Sequence, residues 1–168
     1  MNNESLRTND SMPCVEELLE RYASMVYRLA FARTQNRHDA DDILQEVFLR
    51  YIRCAPEYMT EEHRKAWLIH TTLNCTKSLL SSAWFRRTVP LEECLQSKMQ
   101  PYSEVYDAVM RLPVKYRTII HLYYYEGYTV REIAHLLCTK ESTVKSQMHR
   151  ARQKLYHMLG EEMLDVPG

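Results

Sequence analysis

The stretch from Tyr128 to Met158 constrains this chain more than any other, because it reads as two helices meeting at a short turn. Thr129, with Glu132 three residues on, is a capping box. The threonine oxygen accepts an orphan backbone N–H of the first turn, and the glutamate reaches back to the N–H of the cap residue itself. Ile133, Ala134, Leu136 and Leu137 follow as an apolar stripe at helical spacing, with Ala134 small enough to let another helix come close. Cys138-Thr139-Lys140 forms the turn. Beyond it, Val144, Met148, Leu155 and Leu159 mark an inner face, while Lys145, His149, Arg150, Arg152 and Lys154 load the rest of the helix with hydrogen-bond donors.

From Ser142 to Gly160 there is no Asp or Glu, although the whole chain carries 22 basic and 22 acidic residues. A basic run is most often only a solvated helix face. A helix-turn-helix, however, enters the major groove by the N-terminal residues of its second helix. Here those residues include Thr143, Lys145, Ser146 and Gln147, all able to bond base edges or phosphates. The pattern predicts DNA binding by this segment.

Zero net charge would ordinarily argue against such a partner, but the average conceals segregation. His63 to Leu91 holds Arg64, Lys65, Lys77, Arg86 and Arg87 and no acid, whereas Asp39, Asp41, Asp42 and Glu46 crowd one short segment. Two acid-free basic stretches and one acidic knot are what nucleic-acid contact plus a separate protein contact would produce. With 168 residues, 45% of them hydrophobic, the chain can hold one domain or two small ones, and only three glycines argue for helices throughout. The five cysteines are scattered, with no CxxC pair and no secretory leader before them, which suits a reducing cytoplasm. No apolar run approaches the roughly 20 residues that a membrane span requires.

Residues 1–13 offer little to bury and are expected to be disordered. Val15, Leu18, Leu19, Tyr22, Met25, Val26 and Leu29 recur at three- and four-residue steps, so the spacing predicts a helix over about 14–35. Asn36-Arg37-His38 should break it. A second helix is expected from Asp39, burying Ala40, Ile43, Leu44, Val47, Phe48 and Tyr51 and ending before Pro56. A third should start near Thr60 as cap and reach Ser81, turning Trp67, Leu68 and Leu73 inward and leaving Arg64, Lys65, Asn74, Lys77, Ser78 and Ser81 outside. Trp84-Phe85-Arg86-Arg87 should lie in a loop over 81–87, where the aromatic pair plugs the core or stacks on unpaired bases. Periodicity fades over 88–101, which reads as a tether. It resumes with Val105, Tyr106, Val109 and Met110, restarts at Leu112-Pro113 and stops at Gly127 as a C-cap.

These residues resemble the extracytoplasmic-function group of bacterial sigma-70-type RNA polymerase sigma factors over roughly 15–158. Asp39-Ala40-Asp41-Asp42-Ile43-Leu44-Gln45-Glu46-Val47-Phe48 looks like the family segment that docks on the polymerase clamp helices. Trp67-Leu68 with Asn74 is similar to its strand-separating segment at the −10 element. Leu112-Pro113-Val114-Lys115-Tyr116-Arg117, Glu126-Gly127-Tyr128-Thr129, Glu132-Ile133-Ala134, Thr143-Val144-Lys145-Ser146 and His149-Arg150-Ala151-Arg152 look like its −35-reading domain.

What the resemblance implies is an all-α chain of two small helical domains joined by a flexible linker, the C-terminal one a helix-turn-helix. Residues 14–87 would be region 2, 88–101 the linker, 102–160 region 4 and 161–168 a tail. It implies a specificity subunit and not an enzyme, with no cofactor and no metal. Its partners would be core RNA polymerase, through the clamp helices and flap, promoter DNA, and an anti-sigma factor where one exists. Asp39, Asp42, Gln45 and Glu46 would meet the polymerase. Arg64, Lys65, Trp67, Asn74, Lys77, Ser78, Ser81, Arg86 and Arg87 would hold the −10 element, and Thr143, Lys145, Ser146, Gln147, His149, Arg150 and Arg152 the −35 element. Four positions depart from the family pattern. Cys138 replaces a turn glycine, Lys140 a capping serine that Thr139 could replace one residue earlier, Ser78 stands near a common aspartate, and Gln147 replaces an arginine. Gln pairs with adenine where Arg prefers guanine, so the −35 sequence read at that base should differ.

Other classes account for less. A helix-turn-helix regulator that does not bind polymerase would share the C-terminal motif only. A metal-dependent nuclease would need Asp39, Asp41, Asp42 and Glu46 as ligands, yet acids in a first helical turn commonly just complement the helix dipole. His135 and Cys138 form one zinc-spaced pair without a second. A phosphoacceptor regulator would need an α/β half that this helical sequence does not form.

Overall fold

The structure, a computed structural model, describes residues 14–54, 60–84 and 103–160, with side chains up to 82 in the middle segment. The linker expected over 88–101, the aromatic and basic residues Phe85, Arg86 and Arg87, the Trp84 side chain and both termini lie outside the described residues. Every regular element among the described residues is helical.

Helix α1 spans Val15–Thr34 and buries Leu18, Tyr22, Met25, Val26 and Leu29, the stripe its spacing predicts. It stops because Gln35 turns left-handed at φ 54° and returns its N–H to Phe31 O. Helix α2 spans Arg37–Cys54, starting two residues before the expected Asp39. Asn36 is the reason: its side-chain oxygen accepts the Asp39 N–H at 3.2 Å, so the cap lies inside the segment read as a break. Helix α3 covers Glu61–Trp84 behind Thr60, whose hydroxyl accepts the His63 N–H at 3.3 Å. It continues past Ser81, so the expected loop does not begin there. The Ser81 and Ser82 hydroxyls donate to carbonyls of their own helix and leave the ladder intact.

The C-terminal half is built from α4 (Glu104–Arg111), α5 (Val114–Ile120), α6 (Val130–Leu136) and α7 (Glu141–Leu159). Ser103 caps α4 through the Tyr106 N–H, and Pro113 precedes α5. Below α5 the chain widens into a π-helical turn, His121–Tyr125, which buries His121 and Leu122 and turns Tyr124 and Tyr125 outward. Gly127 at φ 74° then reverses the chain, as its reading as a helix terminator predicts.

Helix α1 packs on α2 and α3, α7 packs on α4, α5 and α6, and α5 also packs on α1. Leu29, Val47 and Leu68 of the first half and Ile119, Ile133 and Val144 of the second therefore belong to one continuous apolar cluster. The two halves are docked on each other.

Candidate nucleic-acid interface

The helix-turn-helix is assembled as its sequence dictates. Thr129 Oγ1 accepts the Glu132 N–H at 3.3 Å, and Glu132 Oε2 accepts the Thr129 N–H at 2.8 Å, completing the capping box. Those bonds to Thr129, the backbone one first, hold the Glu132 carboxyl below its ordinary pKa. In the turn, Cys138 adopts φ 50°, a left-handed conformation that glycine takes more easily. Lys140 occupies the N-cap of α7 and no side chain caps it. The substitute cap expected from Thr139 does not form, because the helix starts at Glu141 and Lys140 stands at the cap position.

Helix α7 rests on Val144, Met148, Ala151 and Leu155, all buried. Lys145, Ser146, His149, Arg150 and Arg152 are exposed, and Thr143 and Gln147 are half-buried at the rim. Two of the cations already have neighbours that spacing alone did not suggest. Burial pushes the Tyr116 phenol up, but a hydrogen bond from Arg150 and the Lys115 charge outweigh it and leave the pKa below its ordinary value. Arg152 donates to the Tyr124 hydroxyl at 3.1 Å and lies 5.9 Å from the ring centres of both Tyr123 and Tyr124. The run Tyr123-Tyr124-Tyr125 was the available signal for that support.

The second basic face is more divided. Asn74, Lys77, Ser78 and Ser81 are exposed on α3, and Asn74 lies 3.3 Å from His70 Nδ1. Trp67 is half-buried and packs edge-on against Tyr51, with ring centres 5.4 Å apart. Arg64, expected outside, is buried at 7% exposure. Its Nε donates to the Tyr51 hydroxyl at 2.9 Å and its Nη1 to Glu61. The physical reason lies in the helix period: Arg64 is one turn before Leu68 and two before Thr72, both 0% exposed, so it heads the inward stripe. Lys65 reaches the other half of the molecule, 3.8 Å from the Glu126 carboxylate and 5.1 Å above the Tyr128 ring.

The acidic ridge is where the sequence puts it. Asp42 and Gln45 are exposed on α2, and Asp39 and Glu46 are half-buried. Asp42 pairs with His38 at 3.2 Å and Glu46 with Arg50 at 2.6 Å, each one turn along the same helix. Asp42, Glu46 and Arg50 also line an open groove between α2 and α3 whose far wall is Cys75, Ser78, Leu79 and Ser82. The ridge and Ser78 thus share one groove. Among the described residues no three His, Cys, Asp or Glu side chains converge on a metal-sized site, and no helix is long and apolar enough to cross a membrane.

A helical half with an acidic ridge, joined to a helix-turn-helix half, is the architecture of the sigma-70 proteins. Residues 18–86 match the Sigma-70 region 2 family and residues 102–155 the Sigma-70, region 4 family. The chain is 31% identical over 150 residues to the ECF RNA polymerase sigma factor SigM of Mycobacterium tuberculosis, covering 86% of this chain and 76% of that one. It is 28% identical over 153 residues to the SigM sigma factor of Bacillus subtilis, covering 84% and 92%. It belongs to the ECF RNA polymerase sigma factors. Matches to both halves favour this class over a helix-turn-helix regulator that has no polymerase-binding half. The fold also resembles the sigma factor RpoE of Bartonella quintana, solved in complex with the anti-sigma factor NepR. The TM-score is 0.71 at 20% identity, over 86% of this chain and 95% of that one. A second structural relative is CnrH, solved with the cytosolic domain of CnrY, at TM-score 0.62 and 21% identity over 86% of each chain.

Proposed function

We propose that this chain acts in the cytoplasm as a dissociable specificity subunit and not a catalyst, directing core RNA polymerase to promoters through three surfaces. Asp39, Asp42, Gln45 and Glu46 on α2 meet the polymerase clamp. The pairing of Asp42 with His38 and of Glu46 with Arg50 supports this role, since exposed pairs one turn apart contribute only about 0.3–0.5 kcal/mol and exchange readily for a basic partner. The exposed edge of α3, with Asn74, Lys77, Ser78 and Ser81, receives the −10 strand beside Trp67, and Arg86 and Arg87, later in the sequence, add contacts to it. Stacking there returns about 1–3 kcal/mol per base. Arg64 acts from inside, holding α3 against Tyr51, rather than on DNA.

The −35 duplex lies along α7. Thr143, Lys145, Ser146 and Gln147 approach base edges, and His149, Arg150 and Arg152 neutralise phosphates. The observation that carries this reading is the acid-free body of α7 seated on Val144, Met148, Ala151 and Leu155, which fixes the polar face outward. Tyr116 and Tyr124 hold Arg150 and Arg152 in place, so less side-chain entropy is lost on binding phosphate. An anti-sigma factor fits the same outlook, covering one or both basic faces.

Run-off transcription with purified core polymerase on a library of promoter fragments tests the proposal. The chain should programme initiation at a defined set, and the paired substitution Asp42→Asn with Glu46→Gln should weaken core association by about tenfold, roughly 1.4 kcal/mol. Gln147→Arg should move the preferred −35 base from adenine toward guanine. Unchanged core association in the first variant overturns the clamp assignment, and unchanged base preference in the second overturns the α7 register.

A further inference from the structure

The residues assigned to the −10 face of α3 recur at helical spacing. Trp67, Asn74, Lys77, Ser78 and Ser81 share one stripe, because positions three, four and seven apart lie on the same side of a helix. His70 fills the gap in that stripe, three residues after Trp67 and four before Asn74, and the −10 reading gives it no role. It is exposed, as Asn74 is, while Ile69 and Thr71 on either side of it are buried. The ring therefore stands on the outer face of α3, between the half-buried indole and the Asn74 amide.

His70 Nδ1 lies 3.3 Å from Asn74 Nδ2. An amide nitrogen can only donate, so the ring nitrogen facing it accepts and the imidazole proton belongs on Nε2. That bond settles which way the amide points. With Nδ2 turned to His70, Oδ1 is left to the strand as an acceptor, and the second Nδ2–H lies beside it as a donor. An acceptor and a donor in that order match one class of base edge. Adenine and cytosine each offer an amino N–H next to a bare ring nitrogen, whereas guanine and thymine offer a carbonyl next to a ring N–H. An amide turned through 180° reads the second class instead. The terminal torsion of an asparagine has two nearly equivalent wells, so a neighbour must choose between them.

We propose that His70 is a positioning residue of the −10 face, holding the Asn74 amide so that it selects a base with an exocyclic amino group, adenine or cytosine, over guanine or thymine. The inference deepens the −10 reading of α3 and rests on it. His70 acts through Asn74 and need not touch the base. In the free protein the bond is weak, because an exposed side-chain contact one turn along a helix competes with water. A strand laid over Trp67 and Asn74 excludes that water, and the bond then counts for more. A wrongly turned amide would set Oδ1 against the Nδ1 lone pair, leaving two acceptors face to face and unsatisfied under the strand. The ring can follow a turned amide only by moving its proton to Nδ1, the less favoured tautomer of a neutral imidazole.

Holoenzyme assembled from core polymerase and the full chain, presented with promoter probes carrying each of the four bases at every −10 position, tests the assignment. Asn74→Ala should flatten the preference at one position and so identify the base that the amide reads. There the wild type should favour adenine or cytosine. His70→Glu keeps an acceptor beside Asn74 and should keep that preference, while its added charge weakens binding to every probe alike. His70→Lys places only donors there, draws Oδ1 round, and should move the ratio of amino to keto bases at that position about three- to tenfold toward guanine or thymine. Both replacements suit an exposed helix position at least as well as histidine, so folding does not confound the comparison. A merely structural role for His70 would change affinity for all probes together, and an unmoved ratio in H70K overturns the inference. A wild-type preference for guanine or thymine at the Asn74 position overturns it too, as does loss of the preference in H70E. If Asn74→Ala flattens no position while −10 preference persists, the amide reads no base; the inference is overturned and the −10 reading stands. A wild-type holoenzyme without any −10 preference overturns the −10 reading and the inference with it.

Discussion

Helices α3 and α7 look alike as strings of letters, each a long run whose body carries Lys and Arg and no acids. In the folded molecule they differ. On α7 the cations stand outside an apolar seat, and two of them, Arg150 and Arg152, are hydrogen-bonded to tyrosine hydroxyls. On α3 they are divided among three roles: Arg64 ties the helix to α2 from within, Lys65 faces Glu126 of the other half, and Lys77 is exposed. A basic run therefore marks a candidate face, and the packing decides which of its charges remain available to a phosphate.

The largest effects expected from this comparison concern the apolar seats. Leu68→Ala under α3 and Met148→Ala under α7 each remove a buried side chain and should cost about 2–5 kcal/mol. Because the two seats belong to one cluster, calorimetry should show a single transition that either substitution lowers. Two separate transitions, each moved by only one variant, would break the picture of docked halves.

A smaller contrast lies within α3 itself. Arg64→Ala should cost about 1.5–3 kcal/mol by leaving the Tyr51 hydroxyl without its charged donor. Lys77→Ala should change stability by no more than about 0.5 kcal/mol while reducing the salt dependence of DNA binding by about one charge. Denaturant melts paired with salt titrations separate the two, and a loss of salt dependence on mutating Arg64 would return that residue to the DNA surface. The least effect is expected at the helix-turn-helix entry, where Thr129→Ala should cost about 1 kcal/mol. Hydrogen exchange of the Glu132 amide should report it, and unchanged protection would show that packing, not the cap, fixes the start of α6.

Much of the site was legible because it depends on local rules. The capping box, the apolar stripes of α1, α2 and α7, the reversal at Gly127 and the acidic ridge on α2 all follow from spacings within a few residues. Structure departs from sequence expectation where two local signals compete. Asn36 lies in the break after α1 and also caps α2, and Arg64 carries an outward-seeking charge at a position that falls in the inward stripe. Thr139 offered a hydroxyl one residue too early to cap a helix that begins at Glu141.

By itself the sequence determined which segments are helical and which of their faces are apolar, because periodicity and caps act between neighbours three or four residues apart. Only the tertiary structure decided that Arg117 lodges among the carbonyls at the end of α1 and that Glu126 draws in Arg28 and Lys65. Those contacts join residues 61 to 98 positions apart, and their chemistry depends on burial that appears only once both halves are folded and docked. No spacing rule reaches that far along a chain, whereas desolvation acts on whatever the packing brings together.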